Sequence, residues 1–219
     1  TTDNSAVIGN PEIQAVIVAT RHNKHAELAS AAARAGKHVF MEKPMALSMD
    51  EYRQVRSAVE DGKVRFMVGY NRRFSALAQK MKSLIPADAS IMAHYLVNTG
   101  KIPENHWTLD PVEGGGRLLG EADHFFDMFC FLSGSAPKTV FAQCILDRGM
   151  TIKTQYNFCV QVRFENGSIC TLTYTGRGSS LYPKESMQVC AAGQVMIMSD
   201  YKTLEVTAAK TKRFKGGDK

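Results

Sequence analysis

No run in the 219-residue sequence is apolar for long enough to cross a bilayer, so a membrane-spanning protein is not expected. The first ten residues, TTDNSAVIGN, carry neither a basic region nor an apolar core, which argues against a signal peptide. The five cysteines stand at 130, 144, 159, 170 and 190 without a CxxC pair. That scatter disfavours a disulfide framework and a zinc site, and it suits a reducing cytoplasm. Nucleic-acid recognition motifs are also missing. The net charge of +6 owes much to the last ten residues, where Lys210, Lys212, Arg213, Lys215 and Lys219 outnumber Asp218. A solvated basic end explains it without a nucleic-acid partner, and a basic chain also attracts a phosphate-bearing cofactor. With 44% hydrophobic and 22% charged residues, the chain has the composition of a globular protein of one or two domains.

The first third alternates strand and helix. QAVIVA (14–19) reads as a parallel strand buried on both faces, followed by an Ala-rich helix from His25 to Ala35 that Gly36 stops. HVFME (38–42) is the next strand. SMDE (48–51) fits a capping box ahead of a helix with Tyr52, Val55 and Val59 on its inner stripe, and VRFMVGY (64–70) is a third strand. This order predicts right-handed βαβ units in a doubly wound α/β sheet, with a first domain over 1–73. From 74 to 219 the pattern changes to α+β. A helix over 75–84 precedes a strand at 91–98, and a glycine-rich turn at 113–117 opens a long helix reaching Leu132. Strands follow, and the clearest hairpin sets Phe158, Val160, Val162 and Phe164 before an Asn166-Gly167 turn. A mostly antiparallel sheet with helices on one face is expected. Its open face would carry Asn157, Cys159, Gln161 and Arg163 with Thr171, Thr173 and Thr175, or their alternates, polar enough to meet a second copy in a two-fold dimer.

A dinucleotide-binding domain opens with a strand and a G-x-G-x-x-G turn, and nothing before Gln14 supplies them. GGGRLLG (114–120) has the wrong spacing and no strand before it. The chain therefore reads as beginning inside such a fold, and by itself it is expected to bind a dinucleotide weakly or not at all.

Three segments hold candidate chemistry. ATRHNKH (19–25) follows a buried strand at its carboxyl end, where open α/β sheets bind ligands. Thr20 and Asn23 there could meet a ribose or phosphate, or simply cap the helix. His22 and His25 lack a third ligand nearby, so no metal is expected. MEKP sets Glu42, Lys43 and Pro44 at the end of the next strand, where a lysine can polarise a substrate hydroxyl, or can merely lie on the surface before a strand-breaking proline. GEADHFFD (120–127) places Glu121, His124 and Asp127 beside an apolar helix face. A histidine there could take a proton near neutrality, or could be a satisfied core residue.

Taken together, AVIVATRHNKHAELASAAARAGKHVFMEKPMAL, VGYNRRFS and GGGRLLGEADHFFDMFCFLSG resemble the glucose-fructose oxidoreductase, inositol dehydrogenase and rhizopine-catabolism (Gfo/Idh/MocA) family, truncated at both ends. The wording GYNRRF, NHW and GGGR…GE..HF.D is most similar to a subgroup that often forms the C-terminal half of larger two-part oxidoreductases linked to surface-sugar synthesis. The resemblance implies NAD or NADP as cofactor and hydride transfer at a hydroxyl or keto group of a sugar- or cyclitol-like substrate. It implies Lys43 and His124 as catalytic residues and Lys43, Glu121 and His124 as substrate contacts. Cofactor contacts are then expected from Ala19, Thr20, Asn23, His25, Glu42, Lys43, Pro44 and Arg72. It also implies a homodimer or larger homo-oligomer through the sheet. One departure stands out: many relatives have an aspartate four residues before the histidine, where this chain has Gly120 with Glu121 beside it. That departure and the absent glycine turn favour the alternative, a non-catalytic assembly or binding domain that keeps the scaffold.

Overall fold

In the computed structural model, which describes residues 2–216, the chain runs through six helices and eleven strands among those residues. The helices are α1 (Asn4–Gly9), α2 (His25–Arg34), α3 (Met49–Gly62), α4 (Ala76–Ser83), α5 (Gly116–Gly120) and α6 (Asp123–Ser133). The first strands are β1 (Ala15–Val18), β2 (His38–Met41), β3 (Phe66–Val68) and β4 (Met92–Asn98). The later ones are β5 (Pro137–Cys144), β6 (Phe158–Phe164), β7 (Ile169–Thr175), β8 (Glu185–Ala191), β9 (Gln194–Ser199), β10 (Thr203–Thr207) and β11 (Thr211–Lys215). Asp218 and Lys219 of the basic end lie outside the described residues.

Among the described residues the first unit comprises 2–70 with 105–123, the latter a stretch that the sequence reading places in the second domain. Its parallel sheet has the order β1-β2-β3, and each crossover is a helix, as the alternating grammar requires. Val18, Val39 and Met41 pack with Ala26, Ala29 and Ala32 of α2 and Val55 of α3. Ser48 caps α3, accepting from Glu51 N at 3.2 Å, and the Glu51 carboxylate accepts from Leu47 N at 2.7 Å, so both arms of the capping motif form. Burial of β1 on both faces does not occur. It is an edge strand, and Ile17, 75% exposed, lies level with the exposed Phe40 and Met67 on the face away from that core. Sequence reading also passes over α1, a single short helix whose start is capped by Asp3 accepting from Ser5 N at 2.8 Å.

The second unit comprises residues 71–104 and 124–216 among those described. Its eight strands run β11-β10-β9-β8-β4-β7-β6-β5, antiparallel except for the β4–β7 pair. The parallel pair is a difference from the expected hairpin chain. It arises because β4 enters between strands formed about 75 residues later, Met92 facing Ile169 and Asn98 facing Thr175. Phe158, Val160, Val162 and Phe164 are all buried as the alternation implies, and Gly167 turns the hairpin at φ +85°. On the same side Phe125 and Phe129 of α6 pack edge-on to Tyr95 of β4. The opposite face is open, with Cys159, Gln161 and Arg163 exposed. Asn157 is a correction: it is buried, because its Oδ1 accepts from Thr175 Oγ1 at 2.9 Å and from Gly176 N at 3.1 Å.

A buried polar network ties this unit together. Arg72 donates through Nε and Nη2 to Glu185 at 2.9 and 2.6 Å, and the Tyr95 hydroxyl donates to the same carboxylate at 2.6 Å. Burial alone would disfavour the Arg72 charge, but Glu185 more than offsets it and holds the guanidinium protonated; burial pushes the Tyr95 hydroxyl well above its usual range.

Candidate active site

The loops leaving β1 and β2 meet in the first unit. His25, at the start of α2, is 1% exposed. Its Nδ1 lies 2.8 Å from Pro44 O and its Nε2 3.1 Å from Thr20 O, so the ring pins the two strand ends side by side. The helix is not capped by Thr20 or Asn23. Lys24 holds the cap position without a side-chain bond, a 3₁₀ turn (His22–Lys24) leads in, and the Thr20 hydroxyl donates to Arg21 O. Thr20 and Ala19 are exposed and Asn23 half-buried. Glu42 is exposed, and a cis peptide joins Lys43 to Pro44.

Lys43 Nζ donates to Gly120 O at 2.5 Å, joining the end of β2 to the end of α5. The long helix expected from the 113–117 turn to Leu132 is in fact two, α5 and α6, separated at Glu121 and Ala122. Glu121 has φ −143°, outside the helical region, and its carboxylate pairs with Arg117 one turn back. Gly114 is glycine for close approach: a Cβ there would lie 2.5 Å from Thr108 Cα. His124, in the first turn of α6, is buried, and Asp127 is paired with Arg73, which donates to it from Nε at 2.8 Å. Arg72 is committed to Glu185.

Sequence reading weighed His22 only as a metal ligand beside His25 and missed its place in this cluster. It is buried, its Nδ1 lies 2.8 Å from Gly114 O, and its ring meets Trp107 edge-on at 4.6 Å. The Arg21 guanidinium covers the Trp107 ring at 4.3 Å and pairs with Glu113 at 3.3 Å. Burial brings the His22 pKa down to about 4, the Gly114 carbonyl opposes that, and the Lys43 charge adds to it. The folded state therefore resists protonation that the unfolded chain accepts near 6.5. Stability from neutral His22 is complete above pH 6.5 and falls as pH drops towards 4, by roughly 3 kcal/mol at about 1.4 kcal/mol per unit. Urea midpoints between pH 7 and pH 4 are expected to fall less in His22→Phe than in the wild type.

Residues 1–70 match a family model described as "Oxidoreductase family, NAD-binding Rossmann fold", and residues 89–192 match the "GFO/IDH/MocA C-terminal domain". The chain belongs to the GFO/IDH/MocA oxidoreductase family. This GFO/IDH/MocA chain is 33% identical over 141 residues to a myo-inositol 2-dehydrogenase of Thermotoga maritima, covering 64% of the chain and 42% of the relative. It is 34% identical over 158 residues to a levoglucosan dehydrogenase of Pseudarthrobacter phenanthrenivorans, covering 68% and 40%. The matches thus span about two-fifths of these relatives' length. A solved levoglucosan dehydrogenase in complex with NADH and L-sorbose superposes with a TM-score of 0.83 at 25% identity, covering 98% of this chain and 63% of that one.

Proposed function

We propose that this chain carries the substrate-handling part of an NAD- or NADP-dependent dehydrogenase acting on a hydroxyl or keto group of a sugar- or cyclitol-like molecule. The observation that carries the reading is the setting of Lys43, an ammonium at the carboxyl end of a parallel strand, anchored on Gly120 O in a unit matching an NAD-binding Rossmann model. The hydroxyl, carboxylate and ammonium at the ends of β1 and β2 fit a ribose edge. Ala19, Thr20, Asn23, Glu42, Lys43 and Pro44 would hold it, and His25 would act through the Thr20 and Pro44 carbonyls it fixes. Arg72 keeps its guanidinium on Glu185, so any part it has passes through its main chain. The bound nicotinamide supplies the hydride acceptor. Lys43 donates a hydrogen bond to the substrate oxygen and stabilises the alkoxide character that grows as the C–H bond breaks. His124 takes the hydroxyl proton as the C=O bond forms, and returns it in the reverse direction. Glu121 supports substrate binding through its pair with Arg117.

Full-length protein given NAD⁺ or NADP⁺ with myo-inositol or levoglucosan is expected to form NAD(P)H. Neither turnover nor cofactor binding would leave the assembly-domain reading. The 219 residues by themselves contain no G-x-G-x-x-G and are expected to bind NADH more weakly than micromolar in calorimetry. With five scattered free cysteines, the proposal places the protein in the cytoplasm.

We also propose that the open sheet face pairs with a second copy. One row across all eight strands reads Phe141, Gln161, Thr171, His94, Gln188, Ile197, Glu205 and Arg213, apolar points set among polar ones. Such a mixture suits a two-fold interface. Sedimentation equilibrium is expected to give a dimer; a monomer throughout the micromolar range would overturn it.

A further inference from the structure

We propose that His22 binds substrate: its Nε2 accepts a hydrogen bond from a second hydroxyl of the polyol that Lys43 engages, and Gly120 is glycine to make room for that ring. The inference rests on the dehydrogenase reading above and adds to it a residue and a demand on the substrate.

The ring is only 7% exposed, yet one of its nitrogens has no partner among the described residues. Nδ1 faces the Gly114 carbonyl, which can only accept, so Nδ1 carries the proton. Nε2 is then an acceptor, and no described residue donates to it. It is not among the polar atoms sealed from solvent. Solvent therefore reaches this acceptor, and a donor from outside the protein can reach it too.

Two groups converge on one glycine. Lys43 Nζ lies 2.5 Å from Gly120 O, and a Cβ on Gly120 would lie 2.9 Å from His22 Cε1, the ring carbon bonded to Nε2. The ring therefore stands where any side chain at 120 would begin. Trp107, itself covered by Arg21, holds the ring from another side. Burial and the neighbouring Lys43 charge keep the imidazole neutral through the physiological range. A neutral acceptor near an ammonium disfavours a carboxylate or phosphate oxygen at Nε2 and favours an O–H. The ligand class is thus a molecule with at least two hydroxyls, one for Lys43 and one for His22.

The test uses the full-length protein with NAD⁺ and myo-inositol or levoglucosan. His22→Phe is expected to raise KM about tenfold or more, the scale of one lost hydrogen bond, with kcat and the NADH Kd within about twofold. His22→Gln, which keeps an acceptor, is expected to recover most of the loss. Gly120→Ala is expected to raise KM in the wild type and add little in a His22→Ala background, because the colliding ring is gone. Unchanged KM in a folded His22→Phe, a matching rise in the NADH Kd, or additive effects of the two alanines would each overturn the proposal. If His22→Phe does not fold, Gly120→Ala decides: an unchanged KM overturns it. A wild type that neither turns over these polyols with NAD⁺ or NADP⁺ nor binds either cofactor removes the dehydrogenase reading and this inference together, whereas turnover with an indifferent His22 removes this inference alone.

Discussion

Replacing His124 with glutamine in the full-length protein lowers turnover by about a hundredfold or more and leaves the cofactor dissociation constant nearly unchanged, if its imidazole carries the proton. The side chain is buried in the first turn of α6, so the variant must preserve packing for the comparison to be fair. Glutamine is close in size and keeps hydrogen-bonding atoms, but it cannot take a proton near neutrality. Single-turnover rates with NAD⁺ and a polyol separate the chemical step from binding. Turnover within twofold of wild type would return His124 to the core.

The second large effect is on stability. Glu185→Ala is expected to cost about 3–5 kcal/mol, because it strands a guanidinium and a phenol in the interior. The side chains of Arg72 and Glu185 are 14% and 11% exposed, and Tyr95 OH shares the same carboxylate. Arg213 and Glu205, on β11 and β10, make a pair of the same type at 2.6 Å, but they are 80% and 36% exposed. Glu205→Ala is therefore expected to cost only about 0–1 kcal/mol, since water and salt screen that pair. Urea unfolding of the two variants side by side checks the contrast. Equal losses would mean that burial does not set the value of these pairs.

The elements that could be read from sequence were those encoded locally. Ser48 and Glu51 marked a helix start because their side chains reach backbone groups within one turn. The Phe158–Phe164 alternation and the Asn166-Gly167 turn specified a hairpin because period and turn agree. The open edge of β1 was not legible, since an apolar, β-branched run looks the same beside one strand or two. Nor was the parallel β4–β7 pair, which depends on contacts some 75 residues apart. Lys43 was visible from its place at a strand end. His22 was not, because its significance comes from Gly114, 92 residues on, and from a missing side chain at 120. The one local hint was a glycine in a stretch otherwise rich in helix formers, GRLLGEADHF.

Trp107 is the sole tryptophan of the sequence, and it lies between the Arg21 guanidinium and the edge of the His22 ring. Indole emission from these 219 residues therefore originates at one place, within the same cluster as the Lys43 anchor. Protonated imidazole quenches indole more strongly than the neutral ring, so the emission is set to dim as pH falls towards about 4, with the protonation of His22. A hydroxyl settling on Nε2 alters the polarity around the same chromophore. These residues thus carry their own optical probe of the candidate site, with no second indole among them.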